Sequence, residues 1–166
     1  LKKELALLYR GLINFMLDNN TNEFSYEELI VPELVKSDAL IGTGQLPKFD
    51  DDLFKTTFND LYLIPTSEVP LTNLYRESIL NKNKIPLRFT TFSNCFRSEA
   101  GASGMDTKGL MREHQFGKVE LVAVAEPDES MNELKHMTYC VENILNKLKL
   151  PYKIIEICSG DLGFSS

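Results

Sequence analysis

The chain is poor in the residues that build metal and disulfide sites. Its 166 residues include two histidines, His114 and His136, and three cysteines, Cys95, Cys140 and Cys158. Two histidines exclude a histidine-rich metal centre. The cysteines lie far apart, are odd in number and never form CxxC. That pattern argues against a disulfide framework and a zinc site, and fits a reducing cytoplasm. No apolar run reaches the length of a membrane span, and no signal peptide is visible, so no membrane association is expected. The formal net charge is −6, with no basic block or stripe. This span is therefore a poor electrostatic platform for nucleic acid, and a nucleic-acid partner would dock mainly elsewhere. Internal repeats, low-complexity tracts and linkers are also missing.

What remains is an ordinary globular composition, 43% hydrophobic and 25% charged, on a length that suits one domain. Leu5, Leu8, Leu12 and Phe15 recur at helical spacing, which predicts a helix over 3–17, ended by Asn19 and Asn20. A short strand is expected from Glu27 to Val31, stopped by Pro32, then a helix from Glu33 to Ile41, ended by Gly42. GTGQLPKFDDDLF reads as loop with an acidic patch at Asp50 to Asp52. Leu61 to Pro65 reads as an apolar strand. Thr66 is expected to cap a helix carrying Glu68, Leu71, Tyr75 and Ile79. Pro86 opens a long strand, Leu87 to Phe96, and a loop at 100–109 joins it to a strand from Phe116 to Ala125. Asp128 caps a helix whose apolar stripe is Met131, Leu134, Met137, Val141, Ile144, Leu145 and Leu148. Pro151 leads into a last strand, Tyr152 to Cys158. The central strands share one loop and must be antiparallel. The fold expected is α+β, a largely antiparallel sheet flanked by helices.

Chemistry concentrates in Phe96 to Glu120, FRSEAGASGMDTKGLMREHQFGKVE. Eight charged side chains and four of the nine glycines fall in these 25 residues. The charges balance, and apolar strands lead in and out, as a binding site for a charged small molecule requires. The glycines at 101, 104 and 109 suit a mobile loop. Strand residues two apart share a face. Arg97 therefore projects with Glu99, and Phe116 with Lys118 and Glu120. Pairing of 92–99 with 112–120 would bring a cation, two carboxylates and a ring together. An arginine fork suits phosphate or carboxylate oxygens, and a ring beside arginines suits a purine. The plainer alternatives are core packing for Phe116 and a rim ion pair with Lys118 or Arg112 for Glu120. His114 reads as a structural hydrogen-bonding residue and His136 as a surface one. A second polar set, Thr66, Ser67 and Glu68, lies inside apolar LYLIPTSEVPLTN. Helix capping explains Glu68 about as well as an ammonium receptor does.

Together these segments resemble bacterial seryl-tRNA synthetase, a class II aminoacyl-tRNA synthetase. FRSEAGASGMDTKGLMREHQFGKVELV is similar to the family's motif 2. LYLIPTSEVPLTN resembles its serine-binding segment, with Ser67 where alanine is usual. LIVPELVKSDALIGTGQLPKF resembles the motif 1 region, and LPYKIIEICSGDLG the segment after motif 2. The resemblance covers nearly all of residues 1–166, read as part of a class II catalytic domain. The N-terminal tRNA-binding arm and motif 3 are not among these segments. The chain begins at Leu1 and stops after a turn-like SGDLG, so a fragment is expected, and one not competent by itself.

The resemblance implies ATP-dependent activation of serine to seryl-adenylate, then transfer to the 3′ end of a serine tRNA. Arg97 would be the catalytic residue, bridging the α-phosphate and the serine carboxylate. Ser98 would lie in the nucleotide site. Glu99 would receive the adenine amino group, Phe116 would stack on adenine, Arg112 would meet the terminal phosphates, and Glu113 would line the nucleotide. Thr66, Ser67, Glu68, Arg97 and Glu120 would hold serine; which carboxylate takes the ammonium and which the hydroxyl stays open. Magnesium is expected in the parent, with ligands beyond Ser166 and none within the chain. The tRNA would be gripped by the N-terminal arm, and a homodimer built through the motif 1 region. The rivals are a threonyl or prolyl synthetase, an amino acid–carrier protein ligase, and a non-catalytic paralogue. The Thr66–Glu68 motif and the GASGMDTKG loop disfavour the first. The third would be expected to lose some of Arg97, Glu99, Glu68 or Glu120.

Overall fold

A computed structural model of the chain describes residues 1–99 and 112–162. The loop expected at 100–109 lies outside the described residues. Four helices are described, α1 (Glu4–Phe24), α2 (Ser37–Gly42), α3 (Glu68–Asn73) and α4 (Ser130–Lys147). The strands are β1 (Glu27–Glu28), β2 (Leu34–Lys36), β3 (Leu61–Leu63), β4 (Leu87–Phe96) and β5 (Gln115–Val124). β4 lies between β1, which runs parallel to it, and β5, which runs antiparallel. β2 and β3 form a separate antiparallel pair.

The register of β4 and β5 organises everything else. Phe89 faces Val122, Thr91 faces Glu120, Ser93 faces Lys118 and Cys95 faces Phe116. Residues directly opposite share a face, so one side of the ribbon carries these pairs and the other carries Thr90, Phe92, Asn94, Gly117, Val119 and Leu121. The second side receives helices. Tyr9 of α1 meets Phe92 edge-on, with ring centroids 6.3 Å apart. Leu121 packs on the cluster of Phe24, Tyr26 and Cys140. On the first side Tyr75, just past α3, stacks on Phe89 and Lys118 reaches Thr66 in the β3–α3 turn, while the chain leaving β3 meets the edge of β4, where Phe96 N donates to the Ile64 carbonyl at 2.9 Å. Behind β3, Val35, Leu40, Leu53, Tyr62, Ile64 and Val69 form the other core. Gly117 permits the α1 packing, since a Cβ there would lie 1.8 Å from the Tyr9 hydroxyl and 2.8 Å from Phe92.

Several boundaries differ from the sequence expectation, each for a tertiary reason. α1 runs through Asn19 and Asn20 to Phe24, because both asparagines find partners in the core. Asn20 Nδ2 donates to Thr90 Oγ1 at 3.0 Å, and the Cys140 thiol donates to Asn20 Oδ1 at 3.1 Å. Lys147 Nζ donates to Asn19 Oδ1 at 2.9 Å. Buried amides that are hydrogen-bonded do not break a helix. The chain leaves α1 through Ser25 in the left-handed region, with φ 58°. The helix expected from Glu33 is strand β2 followed by the short α2, since Leu34 to Lys36 pair with β3. α3 stops at Asn73, and Tyr75 instead stacks on Phe89 with centroids 5.9 Å apart. Tyr152 to Cys158 joins no ladder and is exposed, Ile155 by 82%. A strand needs a neighbour to accept its hydrogen bonds, and no described strand lies alongside.

The expected stripe on α4 is split: Ile144 is buried and Met137 and Leu145 half-buried, while Met131 is 61% and Leu134 53% exposed. The packed side is built on Cys140 and Ile144, with polar groups around them. His136 is half-buried, not a surface residue. Its Nε2 lies 3.2 Å from the Phe24 carbonyl, and its ring stacks on Tyr26. Burial pushes the Tyr26 phenol up to about 12 and the Cys140 thiol up to about 11, so both stay neutral.

Arg88 of β4 clamps α4 through Glu133. Its Nε and Nη2 each donate to one carboxylate oxygen at 2.7 Å. The side chains are only 23% and 12% exposed. The hydrogen bonds from Arg88 hold the Glu133 carboxyl below its ordinary value, against an opposing push from burial. A carboxyl lowered in the folded state stabilises above its unfolded pKa, and that contribution is lost as pH falls through the folded value. Glu133→Gln is therefore expected to cost about 1–3 kcal/mol at neutral pH. The gap from wild type should narrow below about pH 4, in the range where a glutamate ordinarily protonates. Urea unfolding at both pH values measures it; an undiminished gap at low pH would contradict the clamp.

Candidate active site

The site lies where the open end of the β4–β5 ribbon meets the turn between β3 and α3. The ladder continues past β4, as Arg97 N donates to the His114 carbonyl at 3.0 Å. This continuation places Arg97 beside Phe116, across the ribbon from Thr66. A cavity of about 360 Å³ opens there, and Thr66, Glu68, Arg97, Glu99 and Arg112 are in its wall. A hollow of about 430 Å³ is lined by Arg97, Glu99, Arg112, Glu113 and Phe116. The two share three residues, so one side holds the aromatic ring and the other the Thr66–Glu68 turn. Charged and polar groups thus converge on a concave surface, as a small-ligand site requires.

Arg97 is held by two contacts. Its Nε donates to the Pro65 carbonyl at 3.2 Å, and its guanidinium lies 5.3 Å from the Phe116 ring centroid. One donor is thus used for aim, and the rest of the fork remains for a ligand. The stack also closes one option. A purine between two partners needs about 7 Å, twice a van der Waals contact. Arg97 is too near Phe116 for a base to enter between them in this state. Glu99 accepts from Arg112 Nη1 at 2.9 Å. Its φ of 54° is in the left-handed region, a strain that concentrates at ligand sites. His114 Nδ1 lies 3.1 Å from the Arg97 carbonyl, the structural hydrogen bond expected of it.

Thr66 is buried and its hydroxyl is crowded. Oγ1 accepts from Glu68 N at 3.2 Å and from Lys118 Nζ at 2.7 Å, and donates to Glu120 Oε2 at 2.7 Å. Lys118 also pairs with Glu120. The expected capping by Thr66 is present as its hydroxyl's bond from Glu68 N, one residue ahead of the N-cap position, Ser67, which makes no side-chain cap bond. Glu68, in the first turn, is exposed to the cavity.

Three sequence candidates, Ser98, Ser67 and Glu120, stand away from the cavity walls. Ser98 Oγ donates to the Asp51 carbonyl and Ser98 N to the Asp52 carbonyl, so it fastens the acidic loop. Ser67 is fully buried, and its hydroxyl has no hydrogen-bond partner. Glu120 reaches the site through Thr66 and Lys118. Conversely Gln45, Phe49, Asp52, Leu53 and Lys118 line the cavity. Lys118 was readable from strand alternation with Phe116 and Glu120; residues 45–53 carry no periodic signal. Among the described residues, no three His, Cys, Asp or Glu side chains gather as a metal site.

The sequence and the fold match a known family. The tRNA synthetase class II core domain (G, H, P, S and T) matches residues 50–165, so the chain belongs to that family. Within it the resemblance is to the serine enzymes. The serine–tRNA ligase of Wolbachia pipientis is 55% identical over the whole chain, which covers 39% of that protein. The one from Desulforapulum autotrophicum is 54% identical over 97% of the chain, covering 38% of its own length. The crystal structure of seryl-tRNA synthetase from Pyrococcus horikoshii complexed with ATP superimposes with a TM-score of 0.92 at 37% identity. It matches 98% of this chain, which covers 36% of that structure. The chain thus spans under two-fifths of the length of these relatives.

A buried hydroxyl without a partner costs about 1–3 kcal/mol of desolvation. Ser67→Ala removes that cost with little change of shape. It is expected to raise stability by about 1 kcal/mol. Thermal unfolding measures it, and a fall in stability would show that the hydroxyl is satisfied.

Proposed function

We propose that the protein carrying this chain activates serine with ATP and transfers it to a serine tRNA, and that the described cavity is the activation site. The observation that carries the reading is that two hollows sharing Arg97 bring an anion-binding fork beside an aromatic ring on one side and a buried hydroxyl, hydrogen-bonded to a carboxylate, on the other. Arg97 takes the α-phosphate and the serine carboxylate, and so brings two anions together and offsets charge that builds as the carboxylate attacks phosphorus. Glu99, Phe116, Arg112 and Glu113 form the nucleotide end, with Ser98 behind them fastening the 51–52 loop; Glu99 exchanges Arg112 for the adenine amino group. Thr66, Glu68 and Glu120 form the amino-acid end, with Ser67 buried beneath the turn. Recognition of a small hydroxylated side chain rests on buried polar groups that a non-polar competitor leaves unpaired. Magnesium belongs to this reading too, with its ligands beyond Ser166. No side chain is required as a covalent nucleophile.

The reading includes a homodimer through the motif 1 region and a cytoplasmic location. Ile30, Leu34 and Ile41 of that region are 97%, 46% and 58% exposed, which favours a covered face. Among the described residues, no helix is long and apolar enough to cross a membrane. The tRNA would be held by a further part of the protein.

Calorimetric titration with non-hydrolysable aminoacyl-adenylate analogues tests the proposal. The seryl analogue is expected to bind at least about tenfold tighter than the alanyl one. Arg97→Ala should weaken both by about 10–100-fold, the worth of a charged hydrogen bond. Equal affinity for seryl, alanyl and threonyl analogues would contradict the serine reading.

A further inference from the structure

We infer that Lys118 is a positioning residue for the amino-acid end of the site. It sets the direction of the Thr66 hydroxyl proton and the presentation of the Glu120 carboxylate to a substrate ammonium or hydroxyl. The inference rests on the reading of this cavity as an aminoacyl-adenylate site. Its observation is the three-way contact of Lys118, Thr66 and Glu120.

A threonine hydroxyl has one proton and two acceptor positions. Both acceptor positions of Thr66 Oγ1 are used, by Glu68 N at 3.2 Å and by Lys118 Nζ at 2.7 Å. Neither an amide nor an ammonium can accept, so the hydroxyl proton has one destination, Glu120 Oε2 at 2.7 Å. Lys118 is thus what removes the rotational choice of a hydroxyl that is 4% exposed. The same ammonium pairs with Glu120 Oε2, so both contacts fall on one carboxylate oxygen. That leaves Oε1 as the oxygen to receive a donor from substrate. With Lys118 removed, Thr66 can turn its proton elsewhere, and Glu120 becomes a half-buried anion without its cation, at 20% side-chain exposure.

The position of Lys118 fits this role, since its contacts are with Thr66 and Glu120. It projects from β5 between Phe116 and Glu120, opposite Ser93, and lines the cavity on the Thr66 side. It is not in the wall of the hollow that holds Phe116 and Glu113. Loss of Lys118 should therefore act on the amino-acid end alone.

The test measures three ligands on wild type, Lys118→Met, Lys118→Arg and Thr66→Val: ATP, the seryl-adenylate analogue and the alanyl-adenylate analogue. Lys118→Met is expected to weaken the seryl analogue by about 10–100-fold and ATP by less than about twofold. The preference for seryl over alanyl should shrink in the same variant. Lys118→Arg, which keeps a donor and a charge, should recover most of the loss. Thr66→Val combined with Lys118→Met should cost no more than the larger single change, since both act through one hydroxyl. Unchanged or tighter seryl binding in Lys118→Met would overturn the inference. So would equal weakening of ATP and analogue alongside a lowered melting temperature, the mark of a merely structural lysine. Failure of wild type to prefer the seryl analogue would overturn the reading of the site itself, and this inference with it.

Discussion

The cross-strand register of β4 and β5 is the constraint on which the site depends. A slip of one residue would move every side chain of β5 to the other face. Arg97 and Phe116 would then separate, and Lys118 and Glu120 would turn toward α1. The helix side of the ribbon forbids that slip. Gly117 sits beneath Tyr9, where even a Cβ would lie 1.8 Å from the hydroxyl. Phe116 or Lys118 in that place would have to break the contact of the Tyr9 ring with Phe92. Thr90 adds a second pin, since its hydroxyl accepts from Asn20 and donates to the Glu120 carbonyl at 2.9 Å.

From that register follows the division of labour across the ribbon. One face buries apolar and satisfied polar groups against α1 and α4. The other keeps charges in a hollow, where burial without a partner would be costly. Those charges have partners within the protein: Arg112 with Glu99, Lys118 with Glu120, and Arg97 with the Pro65 carbonyl. A ligand bringing phosphate, carboxylate and ammonium groups meets partners of the right sign. Arg97 is the exception to exchange, because the Phe116 ring and Pro65 fix it from two sides.

Much of this was legible in the residues. Pro86, the length of Leu87 to Phe96 and the alternation after Phe116 gave both long strands within a residue, and with them the convergence of Arg97, Glu99 and Phe116. The resemblance supplied the roles of Thr66 and Glu68, which local chemistry alone left balanced against helix capping. Misreadings arose where distant contacts outweigh local preference. Asn19 and Asn20 end helices in isolation, yet here Thr90, Cys140 and Lys147 satisfy them inside one. Leu34 to Lys36 fit a helix locally and become a strand because β3 lies beside them. On α4 the apolar stripe yields to a face fixed by Glu133, His136 and Cys140. Residues 45–53 reach the cavity through loop geometry that no periodicity encodes.

The most direct test of the register is a set of NMR cross-strand contacts in the chain. Backbone contacts between Cys95 and Phe116, and between Ser93 and Lys118, are expected, together with edge contacts between the rings of Tyr9 and Phe92. Contacts of Cys95 with Gln115 or Gly117 in place of Phe116 would place the charges on opposite faces and contradict the account of the site.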